Sequence, residues 1–314
     1  MHDLEELYLS SEEVKKYKTK MLINNILMYT FLTLIAFFIV FPFLYMVTTS
    51  FKSEVEVTSD RFIFFPSDYF SGNYKENGKV LGPFANYIKV LSINEKKYSV
   101  LTMYYSTILV SIFTTIGTVI TVVLGAFAFA RLNFKGREVL FSLLLATMMI
   151  PGEIYIISNY QLLSGLKNTY IVLILPFMTS VFYTFYLRQT FKQIPNELYL
   201  AAKVDGLGDF KYLFRVMIPI AKSSIITIII LSMIGTWNAY MWPSLMTDET
   251  AADHYLISNG LMNFFSATIS TSGPDRVINQ QMAISTLITI PLLIAFILLR
   301  KYIMSGVGRS GIKG

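Results

Sequence analysis

Ile194-Pro195-Asn196-Glu197-Leu198-Tyr199-Leu200-Ala201-Ala202-Lys203-Val204-Asp205-Gly206-Leu207-Gly208-Asp209-Phe210 is a polar, helix-forming island between two long apolar segments. Pro195 suits a first helical turn, and Gly206 suits the left-handed conformation that ends a helix. Gly208 frees the chain to turn again, and Asp209 can cap a second helix leading to Pro219. The expectation is two short helices at an angle, joined by a glycine turn and held against a membrane face. A surface helix of this kind serves to dock a partner, and the bulk-free Ala201-Ala202 pair lets a partner's groove approach the backbone. A solvated connecting loop is the plainer alternative.

The rest of the chain makes this a membrane face. Of its 314 residues 54% are hydrophobic and only 15% charged, with a mean hydropathy of +0.54. Apolar segments long enough for a hydrocarbon core of ~30 Å fall near residues 22–47, 102–130, 138–160, 169–187, 220–242 and 282–303. The first is too long for a cleaved signal peptide, follows the acidic Asp3, Glu5 and Glu6, and lacks an Ala-x-Ala-like cleavage site. It reads as a retained span.

The net charge of +6 takes its meaning from its distribution. With the N-terminus in the cytoplasm, 17 of the 26 lysines and arginines fall on inner segments and 9 on outer ones. Seven of those outer nine, from Lys52 to Lys97, share one long loop, which weighs little in setting orientation. Both termini and the island are therefore expected to face the cytoplasm. Nucleic-acid binding is not indicated, because the basic residues flank spans instead of forming a patch. The absence of cysteine excludes disulfides and thiolate chemistry.

Outside the spans, residues 1–20 read as a cytoplasmic segment. Its Ser10 and Glu13 have capping-box spacing and its lysines suit anionic headgroups; a frayed tail is equally compatible. Residues 51–100 form a long extracellular loop carrying Phe62, Ile63, Phe64 and Phe65 amid turn residues. It is either an ordered cap or a partner-binding surface. Residues 101–304 form the membrane core, and 305–314 a cytoplasmic tail. The second span is rich in small and hydroxyl side chains, among them Ser106, Thr107, Ser111, Thr114, Thr115, Gly117 and Thr118, which suits an interior helix in lipid.

Little in the sequence carries chemistry. Neither a GxxxxGK[ST] phosphate loop nor a GxGxxG turn occurs, and the only histidines are His2 and His254. The spans hold few ionisable groups, which argues against an ion-coupled carrier. Glu153 is the exception. It follows Pro151-Gly152, roughly 24 Å beyond Arg137 at 1.5 Å per residue. It reads either as a pathway residue accepting hydrogen bonds from a polyol, with Tyr155 and Asn159 extending the lining, or as a helix-end carboxylate at the headgroups. Trp237 and Asn238, with Tyr240 and Trp242, suit sugar stacking and hydrogen bonding, or equally an aromatic belt at the membrane interface.

The island resembles the EAA loop of ABC importer permeases, with Ala201, Ala202, Asp205, Gly206 and Pro219 at the matching positions. Ile194-Pro195, Glu197-Leu198, Ala130-Arg131, Phe134-Lys135-Gly136, Pro151-Gly152, Trp237-Asn238 and the closing Gly311-Ile312-Lys313-Gly314 are similar to the carbohydrate branch, specifically the smaller membrane subunit of maltose-transporter-like systems. The likeness runs from about residue 102 to the end. Leu200 replaces the first motif glutamate, Leu207 the usual alanine, residues 67–83 look enlarged, and Glu153 stands where the family has an apolar residue.

The resemblance implies an all-α, six-span type I permease with cytoplasmic coupling helices between spans four and five, in the bacterial plasma membrane. It implies a non-catalytic subunit of a sugar or oligosaccharide importer. The expected partners are a second permease subunit, a cytoplasmic ATPase dimer that binds ATP and Mg, an extracellular solute-binding protein and membrane lipid. No cofactor is expected in this chain. ATPase coupling falls to Glu197, Ala201, Ala202, Asp205, Gly206 and Pro219. A permease for glycerol phosphate or another polyol is the alternative reading, and a channel or membrane sensor a remote one.

Overall fold

The computed structural model describes residues 11–72, 75–76, 79–92, 99–272 and 278–308. In chain order the helices are α1 (Ser11–Ser50), α2 (Glu54–Val57), α3 (Asp68–Ser71), α4 (Ala85–Leu91), α5 (Val100–Arg131), α6 (Arg137–Thr147), α7 (Gly152–Leu163), α8 (Tyr170–Ile174) and α9 (Val181–Lys192). They continue as α10 (Asn196–Val204), α11 (Asp209–Tyr212), α12 (Ile218–Ile220), α13 (Lys222–Trp237), α14 (Met241–Met246), α15 (Ile257–Ser272) and α16 (Ile278–Gly308). The all-α expectation is corrected only by a minimal antiparallel hairpin, β1 (Lys75–Glu76) and β2 (Lys79–Val80), in the enlarged loop.

Among the described residues three helices are long and apolar enough to cross a membrane: residues Lys15–Ser50 of α1, the whole of α5, and Ile278–Arg300 of α16. Two bent pairs bring the number to five when each is taken as one span. In the first, Tyr170–Phe177 meets α9 at 41°, where Pro176 cannot donate to the preceding turn. In the second, Asp209–Ile220 meets α13 at 81° through Ala221. The expected span 138–160 is interrupted. Its two pieces, α6 and α7, separate at Met148–Pro151, and each is shorter than a hydrocarbon core.

The hydroxyl-rich second span lies at the centre, with α9, α13 and α15 packed on it. Ser106, Thr107, Ser111, Thr114, Gly117 and Thr118 are all buried. The small side chains let neighbours come close: a Cβ at Gly117 would stand 2.3 Å from the Met178 side chain. The hydroxyls then hold the bend between α8 and α9, Thr118 donating to the Phe177 carbonyl at 2.9 Å and Thr121 to that of Met178 at 2.6 Å. By contrast, none of the most apolar window of α1 is buried within this chain.

The described residues of the loop after α1 fold into an ordered cap. Ser53 and Glu56 form a capping box at the start of α2. Glu56 also accepts from the Ser67 amide and hydroxyl, at 2.6 and 2.8 Å, and from the Asp68 amide at 3.1 Å. Asn86 donates to the carbonyls of Ser50 and Lys52, and Asn279 of α16 reaches that same Lys52 carbonyl at 3.2 Å. The expected capping box at Ser10 and the ending at 311–314 lie outside the described residues.

Candidate functional site

The island folds as two short helices joined by a glycine turn. Gly206 takes φ +76°, and the backbone closes a Schellman motif. The Leu207 amide donates to the Ala202 carbonyl at 2.8 Å, and the Gly206 amide to that of Lys203 at 3.0 Å. Two details of the sequence reading are corrected. Pro195 is the cap preceding α10, not part of its first turn, with extended ψ of 137°. Asp209 does not cap α11: Gly208 holds that position, and the Asp209 side chain turns back across the glycine turn.

There Asp209 Oδ1 accepts from the Tyr199 hydroxyl at 2.8 Å and lies 2.7 Å from Lys203 Nζ. Hydrogen bonding from Lys203, then from Tyr199, lowers the Asp209 pKa below its ordinary value, and the same contact raises that of Lys203. Burial, followed by the Asp209 contact, raises the Tyr199 phenol. Tyr199 also packs edge-on against the fully buried Tyr212, ring centroids 5.0 Å apart. The two helices are thus tied to each other by a polar clamp above and an aromatic contact below.

The core beneath is continuous: Ala202, Tyr212, Leu213 and Met217 share a buried cluster with Val122, Ala126 and Phe127 of α5 and Leu187 and Phe191 of α9. Outward, Glu197, Ala201, Asp205 and Gly206 are exposed, as are Leu200, Val204, Phe210 and Phe214. Of the expected coupling residues, only Ala202 is buried. Pro219 sits exposed in α12, at the foot of the 81° bend.

Arg131 acts on this region in a way the sequence reading missed. Its guanidinium donates to the carbonyls of Phe191, at 2.9 Å, and Ile194, and to the Asn196 side chain at 3.2 Å. It therefore staples the end of α5 to the chain entering α10. Arg188 works similarly one turn earlier. Buried over the Phe141 ring, it pairs with both oxygens of Glu138 at 2.7 and 2.6 Å, joining α9 to α6. In the sequence Arg131 stands out only as part of Ala130-Arg131, one of the stretches on which the resemblance rests.

Towards the opposite end of the bundle from the island lies a cleft of about 860 Å³, walled by the α6–α7 break, the α8–α9 bend and the stretch after α13. Tyr155, Asn159, Thr179, Ser180, Tyr240 and Trp242 are among its lining residues. A deeper recess of about 310 Å³ adjoins it, sharing Phe177, Thr179, Ser180, Ala239 and Trp242 and adding Thr114, Thr118, Ser232 and Thr236. The lining is largely apolar, its polar groups being Ser, Thr and Tyr hydroxyls, the Asn159 amide and the Trp242 indole, and none of the described lining side chains is charged. Glu153 belongs to α7 by its backbone, between Gly152 and Tyr155, both of which line the cleft; its side chain lies outside the described residues.

Trp237 and Asn238 do not line this cleft. Trp237 packs against Tyr104, ring centroids 5.8 Å apart, and enters an apolar recess of about 230 Å³ beside Pro291, Leu292 and Phe296 of α16. Asn238 donates to the Ile234 carbonyl at 3.0 Å, finishing the last turn of α13. The chain breaks its helix at Asn238 and resumes at Met241, which swings the second indole to the other side. Trp242 faces the cleft, with its Nε1–H donated to the buried Val172 carbonyl at 2.9 Å.

Comparison with known proteins agrees with this arrangement. Residues 117–309 match the family described as binding-protein-dependent transport system inner membrane component. The chain is 27% identical over 300 residues to the inner membrane ABC transporter permease protein YcjP of Escherichia coli strain K12, covering 94% of this chain and 99% of that one. It is 28% identical over 288 residues to the sn-glycerol-3-phosphate transport system permease protein UgpE of Rhizobium meliloti strain 1021, covering 90% and 96%.

A chain of a crystal structure described as a bacterial ABC transporter involved in the import of the acidic polysaccharide alginate has the same fold. Its TM-score is 0.74 at 24% identity, covering 94% of this chain and 99% of that one. The present chain belongs to the family of binding-protein-dependent transport system inner membrane components. It is a multi-pass membrane permease subunit of an ABC importer, a transport component and not itself the catalyst.

Proposed function

We propose that this chain forms one half of the translocation pathway of an ATP-driven importer for a sugar or oligosaccharide in a bacterial plasma membrane. A second permease subunit would supply the other wall, and an extracellular solute-binding protein would deliver the solute to the mouth of the cleft. The α6–α7 and α8–α9 pairs would each act as one crossing, giving six with α1, α5, α13 and α16 and leaving both termini cytoplasmic. In this reading the extracellular cap is 51–100, the core 101–304, and the cytoplasmic ends 1–20 and 305–314.

The island at 194–215 would dock in a cleft of a cytoplasmic ATPase dimer, which binds ATP and Mg, through the exposed Glu197, Ala201, Asp205, Gly206 and Pro219, while the buried Ala202 would couple it to the core beneath. Leu200, exposed where the motif has glutamate, would make an apolar contact in place of an ionic one. The observation that carries the sugar assignment is the large, mostly apolar cleft with aromatic rings, hydroxyls and an amide among its lining and no described charged side chain. Such a lining suits a neutral, hydroxyl-rich solute. Tyr155, Asn159 and Glu153 would face the solute, whereas Trp237 and Asn238 would contribute only by supporting the wall.

The second reading, a polyol phosphate, is favoured by the glycerol phosphate permeases among the relatives. A dianionic headgroup would need a cationic partner, which the described lining lacks. Uptake into vesicles containing the assembled transporter and its binding protein decides between them. A neutral oligosaccharide that competes for uptake while glycerol phosphate does not supports the first reading; the reverse overturns it. A channel or sensor would purify without an ATPase.

A further inference from the structure

The cap folds one aromatic segment back down the outside of its own bundle. Between α2 and α3 the chain carries Arg61-Phe62-Ile63-Phe64-Phe65-Pro66 in irregular backbone. Three of these rings form a ladder with α1. Phe62 stacks on Tyr45, centroids 5.9 Å apart and planes 9° from parallel. Phe64 stacks on Phe41 at 5.9 Å and also contacts Tyr45. Phe65 meets Phe64 edge-on at 4.9 Å. Yet Phe62 and Phe65 remain 72% and 73% exposed, so the ladder ends in uncovered apolar surface.

The position of this patch along α1 identifies what covers it. The apolar segment of α1, residues 22–47, has its midpoint between residues 34 and 35. At ~1.5 Å per residue, Phe41 stands about 10 Å from that midpoint and Tyr45 about 16 Å, straddling the edge of a hydrocarbon layer ~30 Å thick. The ladder therefore spans the boundary between headgroups and acyl chains. Above it, Lys52 Nζ lies 4.6 Å over the Tyr45 ring, and burial lowers its pKa. The patch is also continuous with the face of α1 that this chain leaves bare, from Phe37 and Phe38 upward.

We propose that Phe62, Phe64 and Phe65 are a membrane foot, through which the cap rests on the bilayer with these rings among the outermost acyl carbons of the leaflet on the cap's side. The irregular backbone of 61–66 stays at the headgroup level, since unpaired peptide groups are not tolerated in hydrocarbon; only the rings enter. Aromatic side chains are favoured at this depth. The foot fixes the height of the cap over the bundle, and Glu56, bonded to Ser67 and Asp68, carries that constraint into the buried cap core.

The chain contains no cysteine, so single probes report cleanly. Phe62→Cys and Phe65→Cys, both at exposed positions, would each carry a nitroxide. A third label at Val55→Cys, exposed elsewhere on the cap, is the aqueous reference. The assembled transporter is reconstituted in phosphatidylcholine–phosphatidylglycerol vesicles, and collision with oxygen is compared with collision with a water-soluble nickel chelate. The expected result is an oxygen-to-nickel ratio severalfold higher at both foot positions than at residue 55. Equal ratios at all three would place the rings in water and overturn the proposal. Suppression of both collisions at the foot would identify a protein partner as the occupant and overturn it equally.

Discussion

Gly206→Val is the perturbation whose consequence follows most directly from the geometry. Gly206 sits at φ +76°, a conformation costing an L-residue about 1–2 kcal/mol and a β-branched one more. A Cβ built there meets nothing within 4 Å, so the cost is conformational, with no steric clash in the free chain. If the turn flattens to escape the strain, the Leu207–Ala202 and Gly206–Lys203 hydrogen bonds are lost as well. A penalty of 1–2 kcal/mol corresponds to roughly a 5- to 30-fold fall in the ratio of native to altered turn.

The assay is ATP hydrolysis and solute uptake measured side by side in vesicles. Uptake per ATP hydrolysed should fall in Gly206→Val, by up to that factor, while the complex still assembles. Gly208→Ala is the internal control, because Gly208 has φ −73° and open space around it. Its uptake should stay near the parent level. Normal coupling in Gly206→Val would refute the proposal that the left-handed turn at Gly206 couples the ATPase to uptake.

Three further outcomes are expected. Trp242→Phe strands the buried Val172 carbonyl and should cost about 1–3 kcal/mol, lowering the thermal midpoint in detergent, whereas Trp237→Phe removes an indole N–H with no partner among the described residues and should cost clearly less. The clamp of Tyr199, Asp209 and Lys203 should be insensitive to pH between about 5 and 9: the depressed Asp209 contributes above its ordinary 3.8 and is lost only as pH falls through its lowered pKa, while the raised Lys203 contributes below its ordinary 10.5 and is lost only as pH rises beyond it. A pH-dependent change in uptake within that window that disappears in Asp209→Asn would contradict this. Glu153→Gln should alter transport or solute preference and leave assembly and basal ATP hydrolysis largely intact; an unchanged uptake profile would remove Glu153 from the pathway.

What the sequence makes legible here is what local rules determine. Hydropathy locates α1, α5 and α16, and the hydroxyl and glycine content of α5 marks it as the central helix before any contact is seen. The Gly206 turn is read correctly because only its own backbone sets it. Long-range partners are not legible. Arg131 looks like a flanking charge until the chain from Phe191 to Asn196 is folded beneath it, and Glu56 looks like a surface carboxylate until Ser67 and Asp68 arrive. Pro151-Gly152 signals a loosened helix, yet the separation into α6 and α7 depends on the packing around the break. The two indoles cannot be told apart for a similar reason, since the helix break at Asn238 leaves no periodicity from which to tell which one faces the cleft.

The docking of the island on an ATPase is the centre of this account, and one cross-link tests it. Ala201→Cys places a lone thiol on the exposed face of α10 in a chain without other cysteines. Loaded with a short photoactivated cross-linker in native membranes, it should yield an adduct with a cytoplasmic ATPase, identified by mass spectrometry, whose amount changes on adding ATP. An ATPase that co-purifies with the chain yet never forms that adduct would contradict the docking assignment. A complex purified in mild detergent with no ATPase at all would contradict the proposal that an ATPase drives this transporter.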